Sequence, residues 1–215
     1  MNKEKLFNGF YNYTVILTYL NMLSGFMGII SLFNGKFELA ALFLLIAGLL
    51  DMMDGAVAAT KKRTPSEKKF GIQIDSLSDL ICFGVLPGLF TIVICEFNAF
   101  SIVCGASYAL CALIRLAYFN VCEEERQQTE TGKRKCYLGL PVTASSLIFP
   151  LFFMICDLAK LEPMWIFPTL AALMSFAFLF AFNLKKPKLV GCIILGFLGF
   201  AESTTLVILY FILRR

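Results

Sequence analysis

The sequence predicts an all-α integral membrane protein. Of its 215 residues, 59% are hydrophobic and 16% are charged, a balance that a soluble domain of this size could not bury in one core. The apolar residues fall into blocks of about 18 to 25, the length that a helix needs to cross about 30 Å of hydrocarbon. We therefore expect a single membrane domain over residues 1–215.

Hydropathy and chain-breaking residues divide the chain into spans and a tail. A six-helix core over residues 14–183 is predicted from spans at 14–33, 38–59, 72–95, 99–121, 140–158 and 164–183. The tail, residues 189–213, forms one tilted span or a pair of helices broken around Gly199, Glu202 and Ser203, and we favour the pair. Residues 1–12 are expected to form an amphipathic helix on the membrane surface.

The basic residues are unevenly distributed between the two sides of the membrane. With a cytoplasmic N-terminus, fourteen Lys and Arg residues lie in cytoplasmic segments before the C-terminus, against only Lys36 and Lys160 on the other side. The positive-inside rule therefore predicts a multi-pass protein of the cell membrane with its N-terminus in the cytoplasm. Because topology accounts for these charges, we expect no nucleic-acid partner.

The absence of histidine limits the chemistry. A chain without histidine has no His-based acid–base catalyst and no His-ligated zinc. The eight cysteines are scattered through apolar runs without a Cys-x-x-Cys pair, so we interpret them as small buried side chains. Any acid–base chemistry must therefore use carboxylates.

Two pairs of aspartates form the most informative pattern. Asp51 and Asp54 are spaced i, i+3 late in the second span, and Asp75 and Asp79 are spaced i, i+4 early in the third. Each pair projects from one helical face. Because a short basic loop joins these antiparallel spans, both pairs are expected to lie near the cytoplasmic side and to converge.

Four converging carboxylates repel one another unless a cation neutralises them. Oxygen ligands suit hard divalent cations such as Mg²⁺, Mn²⁺ or Ca²⁺, and two such ions can hold a diphosphate between them. Gly55 and Gly71 each lie one turn from an aspartate and leave room for a nucleotide or phosphate. Aspartates that merely cap helix ends would not explain this ordered spacing.

This stretch resembles the signature of the CDP-alcohol phosphotransferase family, D-x-x-D-G-x-x-A-R followed by G-x-x-x-D-x-x-x-D. The matching residues are Asp51, Asp54, Gly55, Ala58, Gly71, Asp75 and Asp79. The resemblance implies a membrane enzyme, a lateral homodimer, that uses CDP-diacylglycerol and releases CMP. It implies two divalent ions bound by Asp51, Asp54, Asp75 and Asp79, with Asp79 also the general base and Asp51, Gly55, Ala58 and Gly71 at the nucleotide.

The chain departs from this signature in two ways. Ala59 stands where the signature has arginine, and eleven residues separate Ala59 from Gly71, a longer interval than the family's. The missing cation would have contacted a phosphate or a carboxylate. Lys61, Lys62 or Arg63 could fold back to replace it.

Other segments resemble the serine-using branch of that family. Residues 18–29 are similar to its first span, which implies that Thr18 and Asn21 contact the cytidine or its phosphates. ALIRLAYFN at 112–120 is similar to an R-L-A-R-F-N segment, and YLGLPVTAS at 137–145 contains a G-L-P segment. This resemblance implies that L-serine is the acceptor and that phosphatidylserine is the product.

Arg115 and Asn120 are the candidate acceptor-binding residues. An arginine in an apolar span is costly, so Arg115 is expected to pair with an aspartate, bind a phosphate or receive the serine carboxylate, unless it snorkels to the interface. Asn120 offers a donor and an acceptor to an amino acid, or orders the loop. Tyr118 replaces a second family arginine, which fits an unphosphorylated acceptor.

Two alternatives remain open. Another member of the same family would make phosphatidylglycerophosphate or phosphatidylinositol phosphate. A carboxylate-based cation transporter belongs to a different class, although its acids would be expected on broken helices near the bilayer centre.

Overall fold

A computed structural model describes residues 9–129, 136–185 and 189–208. Its helices are α1 (Ile16–Phe33), α2 (Phe37–Ala58), α3 (Pro65–Asp79), α4 (Leu86–Ile94), α5 (Ala99–Thr129), α6 (Ser145–Ala159), α7 (Pro163–Leu179) and α8 (Leu189–Ile208). Two short antiparallel strands, β1 (Cys136–Leu138) and β2 (Asn183–Lys185), pair with Cys136 opposite Lys185.

Within the described ranges, five helical segments are long and apolar enough to cross a membrane. They are Tyr13–Phe33, Phe37–Ala58, Pro65–Ile94, Ala99–Glu125 and Val142–Ala159. Two shorter apolar helices cover Pro163–Leu179 and Gly196–Ile208. The protein is therefore a multi-pass helical membrane protein, which confirms the predicted fold class.

The third span begins earlier than predicted. The helix starts at Pro65 rather than at residue 72, because a capping box holds its first turn. The Thr64 hydroxyl accepts a hydrogen bond from Glu67 N at 3.2 Å, and the Glu67 carboxylate accepts one from Thr64 N at 2.8 Å. The helix continues through a π-helical segment, Leu80–Val85, into α4. The two aspartates of this span therefore lie well inside the helix and not early in it.

Two other predicted spans have different ends. The fourth continues past residue 121 to Thr129, because Glu, Arg and Gln residues are good helix formers although they end the apolar pattern. The sixth ends at Leu179 rather than at residue 183. After it the backbone turns towards β2, where Gly139 N donates a hydrogen bond to Phe182 O at 2.7 Å.

The predicted break in the tail is wrong. α8 runs continuously through Gly199, Glu202 and Ser203. The hydroxyls of Ser203 and of the two threonines after it donate to the carbonyls four residues earlier, at 2.7 to 2.9 Å, so these polar side chains are satisfied within the helix. Residues 209–213 of the predicted tail lie outside the described residues.

The N-terminal amphipathic helix is not formed where the chain is described. Residues 1–8 lie outside the described residues, and residues 9–12 are not helical. Gly9 has a φ of +131°, which a helix does not allow. The Asn12 side chain accepts from Thr14 N at 3.0 Å and caps a 3₁₀ turn, Tyr13–Val15, that leads into α1.

Small residues allow the helices that carry the site to pack closely. A Cβ atom on Gly25 in α1 would lie 2.5 Å from Cys82 Sγ, and one on Gly88 in α4 would lie 2.7 Å from Gly105 O in α5. Neither position has room for a larger side chain, so this close helix packing requires glycine. These contacts hold α1 against the π-helical segment that follows Asp79, and α4 against α5.

Candidate active site

The acidic cluster consists of Asp51, Asp54, Asp75 and Asp79. One oxygen from each of Asp51, Asp54 and Asp75 lies within 4.8 Å of the other two, and Asp79 lies close enough to all three to interact electrostatically. Asp54 and Asp79 are each 8% exposed. The structure therefore brings the two predicted pairs together, from the last turns of α2 and the end of α3.

α1 supplies hydrogen-bond donors to this cluster. Thr18 Oγ1 donates to Asp54 Oδ2 at 3.2 Å, and Asn21 Nδ2 donates to Asp79 Oδ1 at 3.5 Å. Both donor residues are buried. Thr18 and Asn21 therefore orient cluster carboxylates, besides any contact that they make with a nucleotide.

Two residues that sequence reasoning missed hold α1 in place. Ser78 Oγ donates to Thr18 O at 3.3 Å, and Cys82 Sγ donates to Asn21 O at 3.2 Å. The signal for them was their spacing, since each lies three residues after an aspartate of the third span and so shares its helical face.

The cluster has the donor set of a divalent-metal site. Ion pairs between described residues include Lys61–Glu67 and Lys69–Glu124, and neither contains a cluster aspartate. Asp75 Oδ1 is buried and accepts no hydrogen bond from the described residues. Buried carboxylates without a counter-charge are costly, and oxygen ligation by carboxylates suits hard divalent cations. The residues present therefore fit a divalent metal.

The space beside the cluster differs at the two motif glycines. A Cβ atom on Gly55 would meet nothing within 4 Å, whereas one on Gly71 would lie 3.0 Å from Arg63 Nη1. Ala58 is partly buried at the last residue of α2. The open approach is thus on the Gly55 side, while the Arg63 guanidinium occupies space beside Gly71.

A groove of about 420 Å³ opens between α1 and α3, next to the cluster. It is lined by Thr18, Tyr19, Met22, Leu23, Ile74, Leu77, Ser78 and Ile81. Most of these side chains are apolar, so the groove suits a hydrocarbon chain rather than a polar ligand.

The two candidate acceptor residues lie in different surroundings. Asn120 Oδ1 accepts from Ser76 Oγ at 2.9 Å, which places Asn120 beside the residue that follows Asp75. Arg115 donates from Nη1 to Phe178 O and from Nη2 to Gly139 O, each at 3.4 Å. Arg115 thus contacts the G-L-P segment, so two of the three segments that resemble the serine branch, 112–120 and 137–145, meet at this point.

Most of the chain is similar to proteins of one known family. The profile of the family described as CDP-alcohol phosphatidyltransferase matches residues 11–182. An archaetidylserine synthase of Methanothermobacter thermautotrophicus is 30% identical over 175 residues, 81% of this chain and 71% of that protein.

Several relatives share another name, CDP-diacylglycerol–serine O-phosphatidyltransferase. The one from Saccharomyces cerevisiae is 35% identical over 134 residues, 59% of this chain but only 48% of the yeast protein. The one from Bacillus subtilis is 30% identical over 129 residues, 59% of this chain and 67% of that protein. The chain belongs to the CDP-alcohol phosphatidyltransferase family, which transfers substituted phosphate groups and uses divalent metal.

Proposed function

We propose that this chain transfers the phosphatidyl group of CDP-diacylglycerol to the hydroxyl of L-serine and releases CMP. The observation that carries the proposal is the convergence of the four signature aspartates in a chain whose relatives have serine in their names. Phosphatidylserine is then the product.

The cluster is proposed to hold two divalent ions, Mg²⁺ or Mn²⁺, through Asp51, Asp54, Asp75 and Asp79. When bound, such ions neutralise the diphosphate and polarise the attacked phosphoryl group. The unpaired Asp75 Oδ1 and the lack of a Lys or Arg partner in the described ranges support this assignment.

Asp79 is proposed as the general base. Its carboxylate takes the proton of the serine hydroxyl as that oxygen forms a bond to phosphorus, while the bond from phosphorus to the CMP oxygen breaks. In a chain without histidine, a carboxylate at the acidic cluster is the available base. The hydrogen bond from Asn21 to Asp79 Oδ1 supports this role, because it orients the carboxylate.

The nucleotide is proposed to bind over Gly55, beside Ala58 and Gly71, with Thr18 and Asn21 at its edge. The open space at Gly55 supports this placement, because a nucleotide needs close approach to the backbone. The apolar groove beside Thr18 would accommodate an acyl chain of the donor lipid.

L-Serine is proposed to bind between Arg115 and Asn120. Arg115 would receive the serine carboxylate and Asn120 its amino or hydroxyl group. The contact of Asn120 with Ser76, next to Asp75, supports a position near the metals.

The orientation and the assembly are also proposals. The charge distribution, fourteen basic residues against two, supports a cytoplasmic N-terminus and a cytoplasmic active site. The chain is proposed to act as one membrane domain and, by analogy with its family, as a homodimer in the bilayer.

The test is CMP release by the purified protein from CDP-diacylglycerol, with L-serine, glycerol 3-phosphate or inositol phosphate as the acceptor. We expect release with L-serine that depends on Mg²⁺ or Mn²⁺ and is lost in Asp75→Asn but kept in Glu162→Gln, an exposed residue outside the cluster. Release with a phosphorylated acceptor alone would favour another family activity. No release with any alcohol, together with cation uptake by proteoliposomes, would favour a transporter.

A further inference from the structure

The α2–α3 loop and the start of α3 carry five basic residues with different surroundings. They are Lys61, Lys62, Arg63, Lys68 and Lys69. Lys61 Nζ lies 3.2 Å from Glu67 Oε1, and Lys69 Nζ lies 3.3 Å from Glu124 Oε1. Lys62 and Lys68 are exposed, whereas Arg63 is partly buried. Arg63 is therefore held against the protein without belonging to either of these ion pairs.

The Arg63 guanidinium lies on the face of α3 that carries the acidic cluster. Its Nη1 atom is 3.0 Å from the position of a Cβ atom on Gly71. Gly71 precedes Asp75 by one helical turn, so both residues share a face. A side chain larger than hydrogen at residue 71 would crowd the guanidinium.

The local backbone explains why Arg63 takes this position. It directly precedes Thr64, whose capping box with Glu67 fixes the first turn of α3. Glu67 also accepts hydrogen bonds from Asn12 Nδ2 and Lys61 Nζ, each at 3.2 Å. These contacts anchor the loop on both sides of Arg63, which limits the directions that its side chain can take.

A cation beside Gly71, one helical turn before Asp75 and without an ion pair to the cluster, suits the binding of a ligand anion. Metals would neutralise the aspartates, which leaves the guanidinium for a phosphate, and its planar fork can donate two parallel hydrogen bonds to phosphate oxygens. Residue 59, where the signature has arginine, is an exposed alanine. Arg63 instead lies beside Gly71, another position of the same signature.

We propose that Arg63 binds the diphosphate of the cytidine nucleotide donor from the Gly71 side of the site. The inference rests on the proposed function, because it takes a CDP-linked lipid as the substrate. It assigns Gly71 a second task, which is to make room for the arginine as well as for the nucleotide.

The test compares CDP binding by the purified full-length protein with Mg²⁺ in four forms: unaltered, Arg63→Gln, Arg63→Lys and Lys62→Gln. Hydrogen bonds to charged groups contribute about 1.5 to 3 kcal/mol, so Arg63→Gln is expected to weaken CDP binding about 10- to 100-fold. Arg63→Lys keeps the charge without the fork and should be intermediate. Lys62→Gln, an exposed neighbour, should stay within about twofold. The KM for CDP-diacylglycerol should rise in the same order, with the KM for L-serine unchanged.

Each outcome decides the matter. Unaltered affinity in Arg63→Gln, or an equal loss in Lys62→Gln, overturns the role of Arg63 while leaving the proposed function intact. If size-exclusion chromatography shows that Arg63→Gln does not fold, Arg63→Lys becomes the deciding variant. A CDP affinity of Arg63→Lys equal to that of the unaltered protein then counts against the inference. A lack of CDP binding by the unaltered protein counts against the proposed function itself.

Discussion

Thr18 Oγ1 donates a hydrogen bond to Asp54 Oδ2 across 3.2 Å, and both residues are buried. This contact joins α1 to the acidic face of α2. The carbonyl of Thr18 in turn accepts from Ser78 Oγ on α3. One residue of the first span thus links the two helices that carry the cluster, and the orientation of Asp54 depends on it.

Thr18→Val is expected to lower CMP release about 10- to 100-fold, because it keeps the shape of the side chain but removes the donor to a proposed metal ligand. The Mg²⁺ concentration for half-maximal release should rise. Thr18→Ser retains the hydroxyl and should keep most of the activity. If Thr18→Val matches the unaltered protein in both rate and metal dependence, the hydrogen bond does not orient a ligand.

Asp79→Asn is expected to lower kcat by about 10² to 10⁴, the range for the loss of a general base. The amide keeps the size of the side chain, so the protein should elute as the unaltered form does in size-exclusion chromatography. CDP binding in the presence of Mg²⁺ separates the two proposed roles of Asp79, metal ligand and general base. If Asp79 is not essential for metal binding, Asp79→Asn leaves the affinity for CDP nearly intact. Turnover close to that of the unaltered protein would reject the role of Asp79 in catalysis.

Gly55→Ala and Gly88→Ala form a matched pair with opposite expected effects. A Cβ atom on Gly55 meets nothing within 4 Å, whereas one on Gly88 would lie 2.7 Å from Gly105 O. Gly88→Ala should therefore destabilise the fold by about 1 to 3 kcal/mol, seen as a lower Tm. Gly55→Ala should keep the Tm but weaken CDP binding. A lower Tm with unchanged CDP binding in Gly55→Ala would mean that this glycine serves the fold rather than the nucleotide.

The membrane fold and the convergence of the aspartates could be predicted because both depend on local spacing. Apolar blocks report the length of a span, and i, i+3 and i, i+4 intervals report a helical face. The start of α3 at Pro65 was also readable, since Thr64 and Glu67 have the spacing of a capping box. Hydropathy missed it because the first turns of that helix are polar.

Features that depend on tertiary contacts could not be predicted in the same way. The placement of Arg63 over Gly71 follows from the path of the α2–α3 loop, which the charge pattern alone does not define. The continuity of α8 depends on hydroxyls that bond back to carbonyls, although Ser203 near Glu202 had suggested a break. The sequence predicted an aspartate, a phosphate or the serine carboxylate as the partner of Arg115. The backbone carbonyls of two distant segments, to which it donates, were not predicted.

Arg115 has contacts that serve the fold and a proposed role in binding, and an experiment must separate the two. Arg115 donates to Phe178 O and Gly139 O at 3.4 Å, and it is proposed to bind the serine carboxylate. Arg115→Lys keeps the charge but loses the planar fork, so the KM for L-serine should rise about tenfold or more, by analogy with the loss of one charged hydrogen bond. The KM for CDP-diacylglycerol should stay within about twofold.

Lys69→Gln, which alters only an exposed ion pair, is the control and should change neither value. A lower Tm with both KM values unchanged would assign Arg115 to holding α5 against residue 139 and the end of α7, and would remove it from the acceptor site.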